Sequence, residues 1–174
     1  MMKLIETGRL TLRAWTLDDA EALFEICRDA EVMLHIGTRE PYRNLDDARR
    51  FLRWAADYQE QHGFSRWAVV EKASQSVIGS CGFARLESTG EIELGYLLAR
   101  RVWGLGYATE AAGACLRYGF DTLKFTEVIA LTDPEHTASQ RVLEKIGFTC
   151  QGLKEYDDDE DMVYLATNPR NRAG

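Results

Sequence analysis

The sequence lacks any apolar run longer than a strand. Stretches such as Trp67 to Val70 and Tyr96 to Ala99 fall far short of the roughly twenty residues a membrane helix needs. The opening Met1, Met2, Lys3 passes directly to Glu6 and Arg9 without the apolar core of a secretory signal, so the cytoplasm is the expected location. Four cysteines, Cys27, Cys81, Cys115 and Cys150, never form a C-x-x-C pair, which argues against a zinc or disulfide scaffold. Each is expected to be a small buried apolar residue. Gly/Ser tracts, proline-rich linkers and internal repeats are also missing, so the 174 residues are expected to form one domain, 1–174. Positive charge is in deficit: 21 basic against 28 acidic residues give a net charge of −7, which repels a phosphate backbone and disfavours nucleic acid as a partner.

What is present is a clear order of short elements. Leu10, Leu12 and Ala14 alternate with polar neighbours, as in a strand with one buried face. Thr16, with Asp19 three residues on, opens a helix through Ala20, Leu23, Phe24 and Cys27. Met33 to Arg43 reads as an irregular connection. A second helix carries Leu45, Ala48, Phe51, Leu52, Ala55 and Tyr58, from an Asn44 cap to a stop at Gly63. Three strands follow, Arg66 to Glu71, Val77 to Leu86 and Glu91 to Leu98, joined by hairpin turns. Next come a helix over Tyr107 to Phe120, a strand over Thr126 to Leu131 and a short helix over Thr137 to Ile146. A strand beginning at Phe148 and a last one over Met162 to Thr167 close the chain, joined across Tyr156 to Asp161. The resulting class is α+β. Trp15, Trp54 and Trp67 fall on apolar periods and are expected in the core, whereas His35 and His62 are expected at the surface.

Gly104, Leu105 and Gly106 stand where a strand turns directly into a helix. Such a turn aims free N–H groups outward, and the helix dipole adds positive potential, which together suit a diphosphate. The third glycine of a dinucleotide fingerprint is Thr109 here, and no G-K-[ST] follows, so neither a Rossmann turn nor a P-loop is present.

Four motifs carry a resemblance over nearly the whole chain. They are Glu6-Thr7-Gly8-Arg9-Leu10-Thr11-Leu12-Arg13, Glu93-Leu94-Gly95-Tyr96, the run from Arg101 to Ala111, and His136-Thr137-Ala138-Ser139 with Arg141 to Phe148. In these the sequence resembles the GCN5-related N-acetyltransferase (GNAT) superfamily, within it the ribosomal-protein serine/alanine N-acetyltransferase branch. The resemblance implies a mixed, mostly antiparallel sheet flanked by helices, and transfer of the acetyl group of acetyl-coenzyme A to a primary amine. It implies direct attack in a ternary complex and no metal. Arg101, Gly104, Leu105, Gly106, Tyr107, Ala108 and Thr109 would hold the pyrophosphate, while backbone groups of Leu97 and Leu98 would meet the pantetheine arm.

Removing a proton from an ammonium calls for a carboxylate. Glu91 and Glu93 lie on one face of one strand, and the resemblance places Glu93 as the base or beside an ordered water; a solvated edge carboxylate is the competing reading. Many relatives carry a tyrosine at the position of Leu143, so Ser139 becomes the nearest hydroxyl for the departing thiolate, with His136 or a water as alternatives. Ser139 is expected to bind the coenzyme rather than act as a true acid, because a serine hydroxyl is a weak proton donor. His136 stands where the family has an asparagine on the coenzyme arm, and otherwise simply caps a helix. Arg100, Arg101, Arg141 and Lys145 are candidate phosphate cations. The acceptor, expected to be a protein N-terminus or a small amine, would meet Met33 to Arg43 and the acidic run Asp157 to Asp161, although such a run is more often only a solvated hairpin tip. A monomer or homodimer is expected. The competing class, favoured by Leu143, is a non-catalytic acetyl-coenzyme A sensor or interaction module.

Overall fold

A computed structural model describes residues 3–156 and 159–172. Among these, eight strands form one sheet: β1 (Lys3–Glu6), β2 (Leu10–Arg13), β3 (Arg66–Glu71), β4 (Val77–Arg85), β5 (Ile92–Leu98), β6 (Glu127–Thr132), β7 (Thr149–Tyr156) and β8 (Asp159–Thr167). Their spatial order is β1-β2-β3-β4-β5-β6-β8-β7. Every neighbouring pair is antiparallel except β5 and β6, which run parallel. Five helices accompany the sheet: α1 (Ala20–Cys27), α2 (Ala30–Met33), α3 (Leu45–His62), α4 (Tyr107–Asp121) and α5 (Thr137–Lys145). The α+β reading holds. No described helix is long and apolar enough to cross a membrane.

Local chemistry accounts for the helix starts. Thr16 and Asp19 form a capping box around the short 3-10 turn Leu17–Asp19 that leads into α1. The Asp19 carboxylate also accepts two bonds from the Arg13 guanidinium, at 2.7 and 2.8 Å. Asn44 caps α3 by accepting from the N–H groups of Asp46 and Asp47.

Several expectations need correction. A strand, β1, precedes the first one expected, and α2 occupies the stretch before the irregular connection. β2 is flanked by strands on both sides, and Thr11 is buried along with Leu10 and Leu12, so the expected single buried face is not found. Trp15 and Trp67 are core residues, but Trp54 is 38% exposed, its ring resting against those of Phe51 and Tyr58, which themselves pack on the core. Cys150 is exposed on β7, whereas Cys27, Cys81 and Cys115 are buried. The last hairpin is tighter than expected, since Tyr156 pairs with Asp159 and strand pairing extends through Glu160 and Asp161. Asp157 and Asp158 lie outside the described residues.

The junction of β5 and β6 positions the site. β5 pairs with β4 over seven consecutive residues, from Ile92 to Leu98. With β6 it shares one pairing, Glu93 with Ile129. Beyond Glu93 no further pairing joins the two parallel strands, which leaves a gap in the hydrogen bonding between their C-terminal ends.

Candidate active site

The strand-to-helix turn beyond β5 borders that gap. Gly104 and Gly106 have φ of +75° and +79°, values that favour glycine, and Gly106 stands as the N-cap of α4. The first i to i−4 bond of this helix runs from the Glu110 N–H to the Gly106 carbonyl at 3.1 Å. The N–H groups of Tyr107, Ala108 and Thr109 therefore have no intrahelical partner. Those of Gly104, Leu105 and Gly106 find no acceptor among the described residues either. Six consecutive amides are thus uncommitted at the positive end of a fifteen-residue helix, and residues 103–106 are exposed.

The N-terminal motif fixes this turn. Glu110 accepts from the Thr7 hydroxyl at 2.6 Å, the Arg9 N–H at 2.9 Å and the Arg9 Nε at 2.6 Å. Burial pushes the Glu110 carboxyl up, but these bonds outweigh it and hold the group below the usual range. Arg9 also donates to the Leu105 carbonyl at 2.9 Å and lies over the Tyr107 ring at 4.2 Å. It therefore brings a cation to the uncommitted amides, a role that neither charge counting nor periodicity reveals.

Alternation along β5 sorts the remaining groups. The Ala99 N–H donates to the Ile78 carbonyl, so odd-numbered residues spend their backbone groups on β4. The polar backbone of Leu97 faces β4, while that of Leu98 faces the gap, where its carbonyl accepts from the Trp103 indole Nε1 at 2.8 Å. Trp103, half exposed, braces the turn against the strand end. On the far wall Thr132, the last residue of β6, has a buried hydroxyl with no partner among the described residues.

Side chains alternate as well, so Glu93 and Tyr96 project from opposite faces of the sheet. Glu93 stands at the vertex of the gap and accepts from the Arg66 Nη2 at 2.6 Å. The Arg66 side chain crosses Gly82 and Gly95 to reach it, because Arg66 pairs with Gly82 and Gly82 with Gly95. A Cβ at Gly95 would lie 2.6 to 2.8 Å from the guanidinium, so this position admits only glycine while Arg66 keeps its course. Glu91 is exposed beyond the end of the strand. On the opposite face the Tyr96 hydroxyl reaches α5, 2.8 Å from the Ser139 Oγ. Leu143 is buried on the same helix, while Arg141 and Lys145 are exposed.

His136 takes the N-cap position of α5 but makes no capping bond through its side chain. It stacks on His35, with ring centroids 4.3 Å apart. Burial, reinforced by His35, lowers the His136 pKa. His35 Nδ1 lies 3.2 Å from the Asp133 carboxylate, off the hydrogen-bond line, and the Arg39 guanidinium lies 3.2 Å from the same oxygen. His35 is therefore part of a cluster that ties the connection after α2 to the end of β6, and not the surface residue its sequence context suggests. His62 is exposed, as expected. Of the four cations considered, Arg100 pairs with Asp29 at 2.9 Å. Together with Arg101 it lines a cavity of about 630 Å³ between α1, α2 and the end of β5. A second cavity of about 550 Å³ lies behind the connection 34–43, against Phe51 and Trp54.

Comparison with known proteins agrees with this geometry. The family model for the acetyltransferase (GNAT) domain matches residues 9–149. The Uncharacterized N-acetyltransferase p20 of Bacillus licheniformis is 33% identical over 153 residues, 87% of this chain and 85% of that protein. The crystal structure of an acetyltransferase from Agrobacterium tumefaciens superposes with a TM-score of 0.82 at 28% identity, covering 95% of each chain. RimL, a ribosomal L7/L12 alpha-N-protein acetyltransferase in complex with coenzyme A, shares the fold with a TM-score of 0.82 at 15% identity, over 95% of this chain and 98% of that one. The chain belongs to the GNAT family and is an acetyl-coenzyme A-dependent acetyltransferase.

Proposed function

We propose that the protein, acting as one domain, transfers the acetyl group directly to a primary amine in a ternary complex. The observation that carries this reading is the gap between β5 and β6, bordered at one end by the uncommitted amides of residues 104–109. These amides, with Arg9 and Arg101 as neighbouring cations, suit the diphosphate of coenzyme A. The Leu98 N–H faces the gap where a pantetheine amide would need a backbone partner. Acetyl-coenzyme A supplies the acetyl group as a thioester.

Within this frame Glu93 acts as the base. One of its oxygens is anchored by Arg66, and the other takes a proton from the acceptor ammonium, directly or through a water. Ser139 serves the sulfur side, with His136 beside the coenzyme arm. Because Glu93 and Ser139 belong to opposite faces of the sheet, the amine enters from one face and the thiol leaves on the other. A protein N-terminus is the acceptor this reading favours, supported by the motif resemblance to the ribosomal-protein branch; a small amine is the second choice. The relatives named as N-acetyltransferases weigh against a purely sensory role.

Release of free thiol from acetyl-coenzyme A tests the reading. A panel of peptides with free N-termini and of small amines is expected to include acceptors that raise thiol release well above the rate with water alone. Binding of acetyl-coenzyme A with no turnover on any amine would overturn it.

A further inference from the structure

The Tyr96 hydroxyl lies within reach of two oxygens of one residue. It is 2.8 Å from the Ser139 Oγ, and it donates to the Ser139 carbonyl at 3.2 Å. A phenol has one proton to give, so these contacts describe two arrangements. In the first, Tyr96 donates to the carbonyl and Ser139 donates to the phenol oxygen, which leaves the serine proton turned inward. In the second, Tyr96 donates to the Ser139 Oγ, and the serine proton is free to point elsewhere.

An anionic acceptor beside Ser139 selects the second arrangement, because hydrogen bonds to charged groups are markedly stronger than neutral ones. Ser139 lies in the first turn of α5, where the helix dipole also favours negative charge. Burial pushes the Tyr96 phenol well above its ordinary range, with the bond to Ser139 opposing this only in part. The phenol therefore keeps its proton under conditions that ionise a thiol.

We infer that Tyr96 is a positioning residue: by donating to the Ser139 Oγ it turns the serine hydroxyl outward, as the donor to the sulfur of coenzyme A. The inference rests on the proposal that Ser139 faces that sulfur. It explains a residue of the Glu93-Leu94-Gly95-Tyr96 motif that charge and periodicity leave without a role.

The test compares binding of coenzyme A with binding of desulfo-coenzyme A, which lacks the sulfur, to the full chain at about pH 9.5, where most of a free thiol is ionised. The wild-type protein is expected to prefer coenzyme A. In Tyr96→Phe and in Ser139→Ala this preference falls about tenfold, and the double variant loses no more than either single one, because both act on one hydrogen bond. Affinity for desulfo-coenzyme A serves as the folding control, and the ratio of the two affinities remains readable where it drops. A preference that survives Tyr96→Phe while Ser139→Ala abolishes it would overturn the role of Tyr96. Losses that add in the double variant would do the same. Failure of the wild-type protein to bind either compound would remove the coenzyme site itself, and this inference with it.

Discussion

Glu93→Gln lowers kcat by about 10²- to 10⁴-fold, the usual worth of a positioned general base, and leaves the KM for acetyl-coenzyme A nearly unchanged. The amide has the shape of the carboxylate and still offers an oxygen to the Arg66 Nη2 that Glu93 contacts at 2.6 Å. The crossing of Arg66 over Gly95 therefore stands, and the sheet vertex keeps its form. Only the capacity to take a proton is removed. Steady-state rates as a function of pH check the result. Raising the pH, which deprotonates the amine without help, is expected to narrow the gap between variant and wild type. Equal rates at every pH would eliminate Glu93 as the base.

The second large effect concerns the turn. Ala108→Pro removes one amide that no other residue of the helix uses, since intrahelical bonding begins with the Glu110 N–H. Proline is tolerated in the first turn of a helix, where its missing donor costs nothing within the helix, so α4 is expected to persist. A charge-assisted bond to a phosphate is worth roughly 1.5 to 3 kcal/mol, and its loss weakens coenzyme A binding by about 10- to 100-fold. Titration calorimetry gives the affinity, and thermal denaturation confirms that the fold is kept. Unchanged affinity in a folded variant would show that this amide does not face the diphosphate.

The fold was largely legible in the sequence because its elements write themselves locally. The β3 bounds, Arg66–Glu71, coincide with the strand expected there, and the starts of α3 and α4 follow from a capping residue and a glycine turn. β1 escaped because Lys3-Leu4-Ile5-Glu6 does not alternate, and α2 because a single turn is too short to show a helical period. The candidate site was legible where it is built from one continuous segment, as at the glycine turn of residues 104–109. It was opaque where partners come from distant elements. Arg66 and Glu93 are 27 residues apart, Tyr96 and Ser139 are 43 apart, and Arg9 and Glu110 are 101 apart. Strand pairing brings the first pair together, and the packing of α5 and α4 on the sheet joins the other two. The stack of His35 on His136 is hidden for the same reason, since it joins an irregular connection to the cap of α5. Trp54 shows the opposite failure, an aromatic on an apolar period that the helix nevertheless turns outward.

The most direct measurement follows the backbone amide resonances of Gly104, Gly106, Tyr107, Ala108 and Thr109 in ¹⁵N-labelled protein as coenzyme A is added. These signals are expected to move together and downfield, as N–H groups do on meeting a phosphate oxygen. Amides that stay in place while the protein still transfers acetyl groups would contradict the account.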